Sequence, residues 1–435
     1  MPHKNSLLAV MAATLLLSIY VVRATGQSAS PGSAPKTTKV LAPHKPVAPE
    51  LPRTNDYPLP ATARSAVGGL WMIDPNFRST IYVKNDVVTS SLTVTPVLHL
   101  SNGNQYTLAE IRLEPAGTAV ISVNDALKDN GIAPWATLMG YVEIRYTWPW
   151  DAICFSVESV DVVHSLIFSY GLQQNSGQAK LAAASKMQII EGMWWKQESG
   201  VGGFVAISNT LGQPVKVQIQ VSDNQGNILG AHTAAVSPHG TKLVRLDELQ
   251  RVAASEGGIR LTYSGPENGL LVNGGLQDQS TGYSARLPFH SQTQLSQKSS
   301  SLSYAELGLM VGAADPMMLF PTDTVFTPYS VLRNTSDQPI SVTPAVWWME
   351  AGGARSAQLP QLILLPHHTE SLNVLSFLSN AGLKGFNGSF NLVLDVRGKP
   401  EGLLMASGSV DRNNTYVFEV RPQAILESAA RNLSY

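Results

Sequence analysis

The sequence predicts an all-β protein built from three tandem antiparallel sandwiches, and three observations carry that prediction. A set of landmarks recurs three times, in the same order, along a chain of 435 residues. Between the landmarks, short runs rich in Val, Ile, Thr, Tyr and Trp alternate apolar and polar residues with period two, as a half-buried pleated surface requires. Gly, Pro, Asn and Asp interrupt those runs about every 8–12 residues, the turn spacing of an all-β domain.

The chain opens on what reads as an export signal, residues 1–26. Lys4 supplies positive charge, Leu7 to Val22 is apolar, and Ala24-Thr25-Gly26 offers small residues for cleavage. The apolar stretch is long for a signal and nearly long enough to span a bilayer, so a cleaved signal and a retained anchor helix both remain open. Residues 27–67 read as a Pro-rich disordered linker carrying eight prolines, Pro31, Pro35, Pro43, Pro46, Pro49, Pro52, Pro58 and Pro60. Proline at that density blocks helix and sheet ladders and favours polyproline II, in which such a stalk reaches about 120 Å.

The repeat begins with Gly69-Leu70-Trp71, which returns as Gly192-Met193-Trp194 and as Gly308-Leu309-Met310. A strand ending in asparagine follows each time, at Asn85, Asn209 and Asn334. The next strand is Leu92-Thr93-Val94-Thr95-Pro96, then Val215-Lys216-Val217-Gln218-Ile219, then Ile340-Ser341-Val342-Thr343-Pro344, closed by Gly103, Gly226 and Gly352. Pro96 and Pro344 predict edge strands or bulges there, because proline cannot donate to a ladder. A bend marked by Pro115, Pro238 or Pro366 leads to a short polar-apolar element of one or two helical turns. Hairpins at Pro149, Pro266 and Pro400 and acidic turn residues at Asp161, Asp278 and Asp411 complete each unit. The units read as Ig-like β-sandwich repeats over 68–173, 191–290 and 307–424, with linkers at 174–190 and 291–306 and a tail at 425–435. Partial helix is expected from Gln178 to Met187. The picture is of three beads on a stalk.

This order of elements resembles the sensory rhodopsin transducer-like β-sandwich. The likeness rests on Asn85, Pro115-Ala116-Gly117-Thr118, Asn124-Asp125-Ala126-Leu127 and Asp161, with their counterparts in the second and third units. The resemblance implies a small binding sandwich that often oligomerises and has no catalysis. An export signal and three tandem copies depart from its usual single soluble unit, so the fold carries over and the signalling function does not.

Composition narrows the function. Lys plus Arg is 30 against Asp plus Glu at 31, a net charge of −1 that argues against nucleic acid as a partner. One cysteine, Cys154, excludes a disulfide framework, and its apolar strand predicts a buried structural thiol. There is no nucleophile elbow, zinc-protease motif, P-loop or dinucleotide fingerprint, so no catalytic residue, cofactor or metal is assigned. His239 and the His367-His368 pair fall on bends and read as solvated turn residues. Asp223-Asn224-Gln225-Gly226-Asn227 reads as a hairpin turn, because a calcium loop wants several carboxylates. Asn334, Asn387, Asn413 and Asn432 lie in glycosylation sequons.

Tryptophans supply the candidate ligand-binding residues. Trp148 and Trp150 flank Pro149 at a hairpin tip where the other units carry Gly265-Pro266-Glu267 and Lys399-Pro400-Glu401. Indoles on a tip stack on sugars or dock on a partner, unless they pack on the linker or the next unit. Trp347 and Trp348 are neighbours on one strand, so one faces out; alignment sets them against Leu98 and His99. The expectation is an exported, non-enzymatic cell-envelope protein, periplasmic or at the cell surface, touching the membrane only through its N-terminal segment. It serves adhesion, scaffolding or binding of a protein or glycan ligand. Two alternatives stand beside it. One is a carbohydrate-binding accessory or enzyme with an inter-domain site, where Asp151, Glu158 and Asp161 are the nearest carboxylates. The other is an envelope component that forms a homo-oligomer through its edge strands.

Overall fold

The computed structural model describes residues 63–425 apart from 134–135, 149–150, 177–185, 197–199, 250–253, 293–299, 314–323, 351–352 and 412–416. The expected signal or anchor, nearly all of the Pro-rich stretch and most of the helix expected from Gln178 lie outside the described residues. What is described is all-β and antiparallel, with two short helices.

The first segment runs β1 (Ala63–Ile73), β2 (Phe77–Asn85), β3 (Leu92–Leu100), β4 (Gln105–Thr107), β5 (Ile111–Leu113), β6 (Thr118–Ser122), α1 (Val123–Asp129), β7 (Leu138–Thr147), β8 (Ile153–Asp161) and β9 (Leu166–Ser176). Its strand order is β4-β3-β7-β1-β9-β8-β2-β6, with β5 also on β3. The second runs β10 (Met187–Trp195), β11 (Gly202–Asn209), β12 (Val215–Ser222), β13 (Ile228–Val236), β14 (Thr241–Arg245), β15 (Glu256–Ser264), β16 (Leu270–Asp278), β17 (Tyr283–Leu287) and β18 (Phe289–Ser291). It forms sheets β13-β12-β15-β10-β18 and β14-β11-β16-β17. The third runs β19 (Ser301–Ala313), β20 (Val325–Asn334), β21 (Ile340–Glu350), β22 (Gly353–Gln358), β23 (Leu362–Leu364), β24 (Thr369–Leu372), α2 (Val374–Asn380), β25 (Gly388–Arg397), β26 (Leu403–Asp411), β27 (Val417–Val420) and β28 (Gln423–Ile425). Its order is β22-β21-β25-β19-β20-β26-β27, with β23 on β21, β24 on β20 and β28 on β19. One connectivity therefore recurs in all three segments.

The last strand of each segment changes sheets. β9 pairs with β8 up to Gly171 and with β1 from Leu172 onward. In the other two segments a proline makes the break: Pro288 parts β17 on β16 from β18 on β10, and Pro422 parts β27 on β26 from β28 on β19. Proline lacks the donor that a continuous ladder needs.

Pro96 and Pro344 are explained in the same terms. Neither lies on an edge strand; each lies where the edge partner is split in two. β3 pairs with β5 before Pro96 and with β4 after it, and β21 pairs with β23 and then β22 around Pro344. Ile219 holds the corresponding place in β12, and its partner β13 is one unbroken strand.

The recurring asparagines are buried turn locks. The Asn209 amide donates to the carbonyls of Gln213, Val236 and Ser237 and its oxygen accepts from Leu211 N. Asn334 does the same with Gln338, Leu364, Leu365 and Ser336 N. Asn85 reaches Ser90, Glu114 and Val87 N. Each thus ties the end of its strand to the distant proline bend. In those bends Ala116, His239 and His367 adopt left-handed φ of 55°, 53° and 61°, the third position of a type II turn that has proline at its second position. Asp161 and Asp278 close their hairpins by accepting backbone N–H groups, from Val163 and His164 and from Ser280.

Several expectations are corrected. Cys154 is exposed, because Ile153 and Phe155 on either side of it take the inward positions of β8. β1, β10 and β19 begin inside stretches expected as linkers, but backbone pairing on both sides makes them central strands. Trp71 and Trp194 are core residues, yet the third-segment counterpart of Trp71 is Leu309 and not Met310: Trp71 faces Gly140 across a bulge, and Leu309 faces Phe390 across another. Nor are the segments separate beads. One core joins second-segment residues to Val331, Leu404, Ala406 and Val410, and a second joins Leu70, Phe168 and Tyr170 to Phe204 and Ala206.

Candidate functional site

Trp148 follows β7 and packs half-buried against the rim of the first core. It forms one wall of an open groove of about 450 Å³, with Arg64, Thr95, Glu110, Arg145 and Tyr146 among the other lining residues. Arg64 pairs with Asp151 at 3.4 Å. Arg145 is held by Glu143 at 3.0 Å. Burial would raise the Glu143 carboxyl, but hydrogen bonds from His99 and Arg145 outweigh it and lower it to about 2. An indole face beside two guanidiniums, a carboxylate and threonine hydroxyls combines stacking with hydrogen-bond donors and acceptors, as a polyhydroxylated ligand requires. A smaller, mainly apolar cavity of about 130 Å³ between the first two segments is lined by Met72, Phe77, Phe204 and Leu243, with Arg245 and Gln277 as its polar residues. Trp150 lies outside the described residues.

The other tryptophan pair is split by its strand. Trp348 is buried in the third core, its indole N–H bonded to Glu350 at 2.9 Å. Trp347 is half-exposed on the outer face. The ladder shifts the sequence alignment by one: His99 faces Tyr141 and Trp347 faces Asn391, and both partners lie opposite bulges. Trp347 therefore takes the place of His99. The loop after Asn85 is one residue longer than the loop after Asn334, and this caused the offset.

Part of the charged and histidine chemistry serves the junctions between segments, which sequence reasoning missed. At the first, Thr241 N donates to Ser101 O at 3.2 Å, and the His99 ring, stacked on Tyr141, lies 5.7 Å from that of His239. At the second, Thr369 N donates to Asn224 O at 2.9 Å. There Glu191 is fully buried, 2.6 Å from Arg260 Nε and 3.4 Å from Arg333 Nη2. Arg333 also donates to His367 O and to Thr369 Oγ1. Burial lowers His367, and burial together with Arg333 lowers His290 to about 4. His239 and His367 are thus interface residues rather than solvated ones. A glutamate inside Ile189-Ile190-Glu191-Gly192-Met193 was the available signal, since an unpaired charge is rarely kept in such a run.

Two further groups are committed to structure. Glu306 is wholly buried, where burial raises it to about 7 against hydrogen bonds from Ser407 and Ser330. Asp223 accepts from Gln225 N and Asn227 N within its own turn. Asp151, Glu158 and Asp161 do not act together: Asp151 holds Arg64, and Asp161 holds its hairpin and His164 at 2.7 Å. Among the described residues, no group of three or more His, Cys, Asp or Glu could hold a metal ion, and no helix is long and apolar enough to cross a membrane. The chain matches no protein-family model, and no curated protein matches it significantly.

Proposed function

We propose that the chain is an exported, non-enzymatic envelope protein in which three tandem Ig-like sandwiches form a stiff unit that presents the Trp148 groove to a glycan. The observation that carries this reading is the division of labour among polar side chains. Glu191, Arg333, His239 and His367 are spent on holding segments together, whereas Trp148, Thr95 and Glu110 line an open groove. The apolar N-terminal stretch and the Pro-rich linker support export and a stalk, since β1 emerges directly from that linker. The resemblance to a small binding sandwich points the same way.

The test is retention of the full chain on insoluble polysaccharides, beside Trp148→Ala and Trp148→Ala/Trp150→Ala variants. Retained wild type and unretained variants are expected. Aromatic stacking on a ligand is worth about 1–3 kcal/mol, so Trp148→Ala alone should weaken binding by about 5- to 150-fold. Equal retention of all three chains would remove the groove from the function, and no retention of any would remove the glycan.

A further inference from the structure

The charges around the Trp148 groove narrow what its glycan can be, an inference that rests on the glycan-binding reading of that groove. Alternation along two strands builds the floor. Thr93 and Thr95 on β3 and Arg145 and Thr147 on β7 point to the outer face of their sheet, because Val94 and Ile144 take the inward positions. Further along the same face, Val67 and Tyr141 are buried with Leu271 of the second segment. The groove is the part of that face which the first junction leaves open.

Its charges do not balance. Arg145 is held at 3.0 Å by Glu143, whose carboxyl the hydrogen bonds from His99 and Arg145 keep well below the usual carboxylate range. Arg64 is held by Asp151 at 3.4 Å. Arg112, across the ladder from Thr93, is held by Glu114 at 3.3 Å. Each guanidinium therefore has a carboxylate of its own. Glu110, immediately before β5, is exposed and lines the groove, and it has neither an ion-pair nor a hydrogen-bond partner among the described residues. One negative charge is left over in a groove walled by an indole.

Three kinds of sugar meet that pattern differently. A neutral sugar offers hydroxyls to Thr93 and Thr95 but leaves the Glu110 carboxylate to water. An acidic sugar brings a further carboxylate to a groove whose guanidiniums are already paired, and it is repelled by Glu110. A sugar with a protonated amine supplies the missing positive charge, and an ammonium beside an indole face gains a cation–π contribution, for which tryptophan is the best ring.

We propose that the Trp148 groove selects a glycan carrying free, protonated amines, held by Glu110, over its N-acetylated form and over a glycan of uronic acids. Glu110 sets the specificity and Trp148 supplies the stacking platform. N-acetylation removes the charge but keeps the ring and its hydroxyls, so the two forms differ in the feature that the groove reads.

The test titrates the full chain by calorimetry at about pH 5.5, where sugar amines are protonated. The probes are soluble tetrasaccharides of glucosamine, of N-acetylglucosamine and of galacturonic acid. An exposed ion pair and an exposed cation–π contact together are worth about 3- to 30-fold, and the glucosamine probe is expected to bind tighter than its N-acetylated form by that margin. The galacturonic acid probe is expected to bind weakest. Glu110→Gln is expected to erase the margin. Glu370→Gln makes the same change in net charge at an exposed position of the third segment and is expected to keep it. Equal binding of the two glucosamine probes, tightest binding of galacturonic acid, or a margin that survives Glu110→Gln would each overturn the proposal while leaving the groove a glycan site. No binding of any probe would overturn it too, and would remove the glycan reading as well only if retention on insoluble polysaccharides were also absent.

Discussion

Glu191 offers the sharpest test of how the second junction is held. Its carboxylate is fully buried, and it serves two guanidiniums whose situations differ: Arg260 is 34% exposed, whereas Arg333 is 3% exposed. Glu191→Ala lets Arg260 turn to water but leaves Arg333 charged and enclosed with only His367 O and Thr369 Oγ1 as partners. Breaking a buried pair in this way costs about 3–5 kcal/mol. Removing both charges, as in Glu191→Leu/Arg333→Leu, replaces an ion pair by apolar contact and should lie within about 1 kcal/mol of the wild type. Urea unfolding followed by tryptophan fluorescence reads this directly, because Trp194 and Trp195 share β10 with Glu191. Wild type should unfold its second and third segments in one transition, and Glu191→Ala should separate them. A Glu191→Ala cost below about 1 kcal/mol, or a double variant that costs the sum of its singles, would refute the reasoning.

The remaining predictions concern pH and a bend. Burial raises Glu306 to about 7, so the folded chain holds that proton more tightly than the unfolded one. Its contribution is complete below about 4.5 and is lost as pH climbs through 7. Glu306→Gln should therefore gain about 3 kcal/mol on the wild type between pH 5 and pH 8 in urea titrations, and parallel pH profiles would count against it. His290, lowered to about 4, works in the opposite sense: its contribution is present above 6.5 and lost as pH falls toward 4. Ala116 sits exposed in a left-handed conformation, so Ala116→Gly should stabilise by up to about 1 kcal/mol while Ala116→Val destabilises. Calorimetry that ranked the two variants the other way would show that the bend is not strained.

Much of this architecture was legible because turn chemistry is local. Asn85, Asn209 and Asn334 must each terminate a strand, and Pro115, Pro238 and Pro366 must each open a bend, whatever lies around them. Their order along the chain therefore traces one connectivity three times. Pro96 and Pro344 were read as marking edge strands or bulges, and both readings fail: each proline lies in an inner strand with an unbroken ladder on one side, and it is the edge partner on the other side that is split, which no local rule could say. What escaped the sequence was decided by packing between segments. Glu191 and Arg333 sit in ordinary alternating strands, and only the approach of two segments turns them into a buried pair. Cys154 was misread because both neighbours are apolar, although period two sends the residue between them outward. Trp347 was misplaced by one position because a single extra loop residue shifts an alignment without shifting the ladder.

The two junctions share a geometry but not a chemistry, and that difference specifies which segments meet. Tyr141 and Gly258 hold the same place, each next to the glycine that faces a core tryptophan, Gly140 opposite Trp71 and Gly257 opposite Trp194. Tyr141 packs with Leu271 of the second segment and its hydroxyl donates to Asn209 O at 3.5 Å, while Ser208, small and buried, holds the place that Arg333 holds in the third segment. Facing Gly258 the third segment offers Arg333, whose guanidinium occupies the space a Cβ would need. If the third segment docked on the first, Arg333 would meet Tyr141 and lose Glu191, so an enclosed charge would go unpaired. If the second docked on itself in another chain, Ser208 would face Gly258 and leave a void beside Glu191. Tandem units with a common fold are prone to pairing in the wrong order. Distinct side chains on a common junction make each wrong order costly, so the sequence of segments is enforced by repulsion and voids as much as by the native contacts.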